Sequence, residues 1–167
     1  MFMKTIKARL TILASALAAG ALSLPLHATT VSPVTNGNWY QFDVDDLIAN
    51  SGGTEWIDGI TGEPGYNGDG SALTFSFTLG NAAILKITDA GFAGDEFKLT
   101  INGNDYFSSA VADFYPDSIG TDFDAALNSG SYSHFSILLN PGSYVVTGEL
   151  AQSALDDFGF GGHRSPW

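Results

Sequence analysis

Asp89 and Asp95 bracket the short connection Ala90-Gly91-Phe92-Ala93-Gly94, and two carboxylates held on one tight loop are the hard oxygen ligands that Ca2+ takes. Two further clusters, Asp43-Val44-Asp45-Asp46 and Asn67-Gly68-Asp69-Gly70, have the same character, and none of the three has EF-hand spacing. Asp and Asn also close turns by accepting hydrogen bonds from nearby backbone N–H groups, and the sequence favours that plainer role in each cluster. Calcium is the one ion worth testing, with Asp89 and Asp95 as its candidate ligands. No other cofactor is expected.

Other chemistries find fewer of the groups they need. Covalent catalysis requires a nucleophile, a base in reach and a group to orient the base. His134 and His163 are the only histidines after residue 28, and no Gly-x-Ser-x-Gly elbow occurs. A closed zinc site would need His-Glu-x-x-His or paired cysteines, and the chain has no Cys. Glu55, Glu63, Glu96 and Glu149 are the only glutamates, and no pair stands at a spacing that would recommend it for glycoside hydrolysis. No catalytic residue is assigned, and the expectation is a protein that is not an enzyme. Trp56, Tyr66 and Tyr115 fall in polar connections, where an exposed ring can stack on the apolar face of a sugar. They are the candidate ligand-binding residues; the simpler alternative packs them over the ends of the fold.

The elements that must position these groups are strands. Alternation bounded by Gly, Asn, Asp and Pro dominates after residue 28, with almost no helical periodicity. Trp39–Val44 puts Tyr40, Phe42 and Val44 on one face. Ala72–Leu79 puts Leu73, Phe75, Phe77 and Leu79 on one face and leads through Gly80-Asn81 into Ala83–Thr88, a first expected hairpin. Glu96–Ile101 turns at Asn102-Gly103 into Tyr106–Val111, and Ser133–Leu139 with Ser143–Leu150 makes a third hairpin across Asn140-Pro141-Gly142. Ser51–Gly70, with seven Gly and a Pro, reads as a long surface loop, and Asp122–Asn128 reads as one helical turn capped by Asp122. The pattern predicts an all-β fold, an antiparallel two-sheet β-sandwich or jelly roll of about seven strands. Its expected core is Phe75, Phe77, Leu85, Ile87, Phe97, Leu99, Phe135, Ile137 and Val146.

Residues 1–28 read as a signal peptide. Lys4, Lys7 and Arg9 are followed by an apolar run from Leu10 to Leu24, then Pro25 and Leu26-His27-Ala28 as a cleavage site. Residues 29–167 form a single expected domain. All 18 acidic residues fall in it, with three of the six basic ones, so its net charge is −15 against −12 for the whole chain. That surface repels phosphate backbones and anionic lipid, so nucleic acid is excluded as a partner and no membrane insertion is expected after the leader is removed.

Leu85-Lys86-Ile87-Thr88-Asp89, Gly94-Asp95-Glu96-Phe97, Asn102-Gly103, Asp124-Ala125-Ala126-Leu127, Tyr132-Ser133 and Pro141-Gly142-Ser143-Tyr144 together form a pattern. It resembles the small exported β-sandwich proteins common among bacterial exosortase substrates, the PEP-CTERM group. The resemblance implies a sandwich fold and an extracellular or envelope setting, and no reaction. Members of that group end in a Val-Pro-Glu-Pro-like tag, an apolar span and a basic tail; this chain ends Gly161-Gly162-His163-Arg164-Ser165-Pro166-Trp167, so anchoring by that route is not expected. The functional expectation is a periplasmic or secreted, non-enzymatic protein of the cell envelope or extracellular matrix, with a binding or structural role and a glycan or a matrix protein as partner. The alternative is a carbohydrate-binding module or small glycan hydrolase.

Overall fold

A computed structural model describes residues 28–33, 35–45, 47–91, 93–109 and 119–152. Along them run β1 (Thr29–Val31), β2 (Leu73–Leu79), β3 (Ala83–Thr88), β4 (Glu96–Ile101), β5 (Asn104–Phe107), α1 (Phe123–Asn128), β6 (His134–Leu139) and β7 (Gly142–Gln152). The chain is all-β, with two sheets: five strands in the order β1-β2-β7-β4-β5, and the pair β3-β6. Every pairing is antiparallel except β1 with β2, where Thr29–Val31 runs parallel to Leu73–Phe75.

The alternation in the sequence decides which side chains turn inward. In β2, Leu73, Phe75 and Leu79 are buried while the threonines and serine between them are not; in β4, Phe97, Leu99 and Ile101 are buried in the same way. All nine expected core residues join one apolar cluster, with Phe77, Leu85, Phe135 and Ile137 at its half-buried margin. The β4–β5 hairpin forms as expected. Asn102 (φ 49°) and Gly103 (φ 81°) both take the left-handed backbone that a two-residue hairpin turn requires. The helical turn also forms, with the Asp122 carboxylate accepting from the Ala125 N–H at 3.0 Å.

Four expectations are corrected. The connections over Gly80-Asn81 and Asn140-Pro141-Gly142 are not hairpins, because β2 and β7 lie in the larger sheet while β3 and β6 pair with each other. Each connection passes from one sheet to the other. Trp39–Val44 builds no strand ladder; it makes a single bridge, Asp43 to Ile57, although Tyr40, Phe42 and Val44 do turn together toward the core. The strand expected at Tyr106–Val111 is Asn104–Phe107, and residues 110–111 lie outside the described residues.

The fourth correction concerns Ser51–Gly70, which is not simply a surface loop. The β2–β7 ladder stops at Phe75 opposite Val146, and the backbone of Trp56 fills the gap beyond it. The Trp56 N–H donates to the Gly148 carbonyl at 2.9 Å, and the Trp56 carbonyl accepts from Leu73 N–H at 2.7 Å. The Leu150 N–H donates to Thr54 at 2.8 Å on the same side. The indole lies flat over Gly148, where a Cβ would overlap the ring. At 1 % exposure, Trp56 is among the most buried large side chains described.

Candidate functional site

Phe75, Phe77, Phe97 and Val146 from the larger sheet, Leu85 and Ile87 from β3, and Trp39, Tyr40 and Phe42 from the segment before Asp43 surround a half-open cavity of about 540 Å³. A volume of that size holds a small organic molecule, and a mostly apolar wall with a few polar groups is the usual form of such a site. The aromatic rings are locked against one another. Phe42 stacks on Trp56 with centroids 4.2 Å apart, and both meet Phe75 and Phe97 edge-on at 6.2–6.4 Å. Trp39 closes the outer end against α1, its ring 5.6 Å from Phe123 and its Nε1–H donating to Asp124 at 3.1 Å.

The polar groups of the wall include Asp43, Asp89 and Asp95. Asp89 and Asp95 are 3 % and 4 % exposed. The Asp89 carboxylate folds back on its own loop, with Oδ2 accepting from Gly94 N–H at 3.2 Å and Asp95 N–H at 3.4 Å. Burial, and then the neighbouring charge of Asp95, push the Asp89 carboxyl up to about 8, so it is largely protonated at neutral pH. The loop is tied further by Ser133, whose hydroxyl donates to the Asp95 carbonyl, and by Tyr132, whose hydroxyl donates to Gly91 and accepts from Ile119 N–H. The pattern Thr88-Asp89, Gly94-Asp95 and Tyr132-Ser133 thus converges on one knot of buried hydrogen bonds. That is the turn role, and it engages the carboxylate a metal would use. Among the described residues no three of His, Cys, Asp and Glu gather to hold a metal ion.

The other acidic clusters also serve the backbone. Asp58, fully buried, accepts from Asn67 N–H at 2.7 Å and Gly68 N–H at 2.9 Å, and so organises the Gly-rich segment around its own carboxylate. Asp69 accepts from Ser71 N–H and Asp45 from Leu47 N–H. Gly70, at φ 72°, lies so close to the Ile48 carbonyl that no side chain fits there. Asp43 is different. It carries its carboxylate over Gly59 at the cavity wall, and burial, with the like charges of Asp45 and Asp58, raises it above the ordinary carboxylate range.

Of the three candidate sugar-stacking residues, Trp56 is in the core and lines the cavity from below, which removes it as a surface platform. Its Nε1 is buried and, like the Tyr66 hydroxyl, has no hydrogen-bond partner among the described residues. Tyr66 is half-buried against the core, and burial and nearby Asp58 push its hydroxyl up to about 12. Tyr115 lies outside the described residues. His134 is half-buried with Nδ1 3.2 Å from the Tyr132 carbonyl, and His163 lies outside the described residues. Sequence reasoning missed the cavity, although the inward alternation of Tyr40 and Phe42 was its visible trace. Comparison with known protein families, curated proteins and solved structures found no match.

Proposed function

We propose that this chain, once residues 1–28 are removed, is an exported β-sandwich of the periplasm or extracellular space that binds a small, largely apolar molecule between its layers, without catalysis. The observation that carries the reading is the 540 Å³ cavity walled by rigidly packed aromatic rings. The basic and apolar start, with Leu26-His27-Ala28 after it, supports export. The resemblance to exported sandwich proteins supports the setting, and the five-on-two arrangement of strands supports the sandwich.

Thermal melting of the full chain against soluble aromatic compounds and oligosaccharides tests it. A ligand that binds only the folded state raises stability by about 2.7 kcal/mol at a hundredfold excess over Kd. Leu85→Trp, which places a larger ring in the same space, should abolish the shift while the protein still folds. If no compound moves the melt at saturation, the cavity is not a binding site and a structural role is the better account.

A second reading, a small glycan hydrolase, is favoured by one observation: a protonated Asp89 beside Asp95 at the wall of an aromatic cavity is the kind of pair that acid–base chemistry employs. Turnover of chromogenic glycosides that disappears in Asp89→Asn would establish it, and no turnover above a heat-killed control would remove it.

A further inference from the structure

The residues that wall the cavity show on which side of β3 it lies. The larger sheet reaches it with alternate residues, Phe75, Phe77 and Leu79 of β2, so there it meets a face. From β3 onward every residue from Ala83 to Gly91 lines it, although Ile84 and Lys86 turn their side chains to solvent. Consecutive residues of a strand can share one cavity only along its edge. β6 pairs with the other edge and adds only Leu139 to the wall. The ladder fixes which backbone groups face the cavity. Continuing the Thr88–His134 register, the Asp89 N–H donates to the Ser133 carbonyl at 2.8 Å. Antiparallel pairs alternate between bonded and non-bonded, so Leu85 and Ile87 bond to β6 while Ile84, Lys86 and Thr88 aim N–H and C=O away from it, along the cavity. His134 follows the same alternation, and its carbonyl accepts from Ser109 N–H at 2.8 Å on the far side of β6. Among the described residues no backbone group bonds to Ile84, Lys86 or Thr88 on the cavity side. At Gly91 that edge is in use: its N–H donates to Gly120 at 3.0 Å and its carbonyl accepts from Ile119 N–H at 2.9 Å.

We infer that the molecule taken up by the cavity is a short free peptide in extended form, which adds to the β3 edge as a third strand of the smaller sheet and lays its apolar side chains on Phe75, Phe77 and Phe97. This rests on the reading of the cavity as a binding site and names the class of its ligand. In strand addition the main-chain hydrogen bonds supply affinity, and pockets for alternate side chains supply selection. The six residues of β3 span about 20 Å, the length of an extended peptide of about six residues. The pairing of Gly91 with Gly120 stops an added strand at that end, so the occupant presents a chain terminus there and not the middle of a longer protein. The net charge of −12 repels an acidic peptide and favours a neutral or basic one.

The probe is the capped peptide acetyl-Lys-Val-Thr-Val-Thr-Lys-amide, titrated calorimetrically into the full chain at neutral pH, with 2-phenylethanol as a purely apolar comparison. Two ester analogues, each with every second backbone N–H replaced by oxygen, keep the side chains and lose the donors of one edge only. The peptide should bind, and the analogue lacking the donors that face β3 should bind about tenfold more weakly. Lys86→Pro removes an N–H that the edge offers and leaves the bonds to β6 in place, a position where a sheet edge tolerates proline. It should weaken the peptide about tenfold and 2-phenylethanol far less. If that variant does not fold, the two analogues decide the matter on the wild-type chain. Equal affinity for the peptide and both analogues, or an unchanged affinity in Lys86→Pro, overturns strand addition at β3. Binding of 2-phenylethanol without the peptide overturns it as well and leaves the cavity reading standing. If neither binds, the cavity reading fails and the peptide inference falls with it. A chain that sediments alone as a dimer, and as a monomer in Lys86→Pro, has a second copy on this edge, which overturns the free peptide.

Discussion

Asp89 offers a sharp test of how the fold uses charge. In the unfolded chain its carboxyl has the ordinary value of 3.8; in the fold, burial and the charge of Asp95 push it up to about 8. Between those values the folded protein holds a proton that the unfolded chain has lost, so the unfolded state binds fewer protons and stability falls as pH rises. The contribution is complete below about pH 4 and is lost as pH climbs through 8. Each unit of difference is worth about 1.36 kcal/mol, so moving from pH 6 to pH 8, with allowance for the folded carboxyl half-ionising at the top, removes about 2 kcal/mol. For a domain of this size that lowers the melting temperature by roughly 4–8 °C. Asp89→Asn keeps an oxygen to accept from Gly94 and Asp95 N–H but cannot titrate, so its melting curve should lose this slope. Asp43 is raised in the same direction, and its own slope has the same sign. The informative quantity is therefore the difference between wild type and Asp89→Asn, followed by scanning calorimetry at half-unit intervals. If the variant keeps the wild-type slope between pH 6 and 8, the carboxyl ionises in the ordinary range and the argument from burial is wrong.

Asp58→Ala should cost about 3 kcal/mol, because it leaves the Asn67 and Gly68 N–H groups without their acceptor, and chemical denaturation should show Asp58→Asn costing less. Gly148→Ala, whose methyl would enter the indole of Trp56, should cost about 1–3 kcal/mol and shift the tryptophan fluorescence, whereas an unchanged spectrum would mean the ring is not seated there. Phe75→Ala should cost about 3–5 kcal/mol and Thr74→Ala well under 1, and equal effects would place β2 in the wrong register.

The sequence made the faces of the strands legible and left their partners obscure. Alternation in Leu73–Leu79 or Phe97–Ile101 says which side chains turn inward, because successive residues of a strand point to opposite sides. It says nothing of which strand lies alongside. Gly80-Asn81 and Asn140-Pro141-Gly142 carry turn residues as good as those of Asn102-Gly103, yet only Asn102-Gly103 joins neighbours in one sheet, since the others are decided by which layer buries the next apolar face. Trp56 was hidden for a related reason. Its place depends on backbone bonds to Gly148 and Leu73, far away in the chain, and the glycines around it signal only that the backbone bends. The Asp89–Asp95 pair was visible as a feature. Its role as a clamp on its own loop needed Ser133 and Tyr132 to be brought beside it.

The place of β7 in the order of the chain has a consequence for how the protein comes into being. It is the last of the described strands, yet it lies between β2 and β4 and joins the two halves of the larger sheet. Before Gly142–Gln152 emerges from a ribosome, the only strand paired with β2 is the three-residue β1, and the only strand paired with β4 is the four-residue β5. Two-stranded ribbons of that length are marginal in water. Pairing Phe75 with Val146 then closes a long stretch of chain at one stroke, a contact order that makes folding slow. A chain made N-terminus first therefore cannot complete its larger sheet until this central strand arrives, and only the β3–β6 pair and the β4–β5 hairpin can form ahead of it.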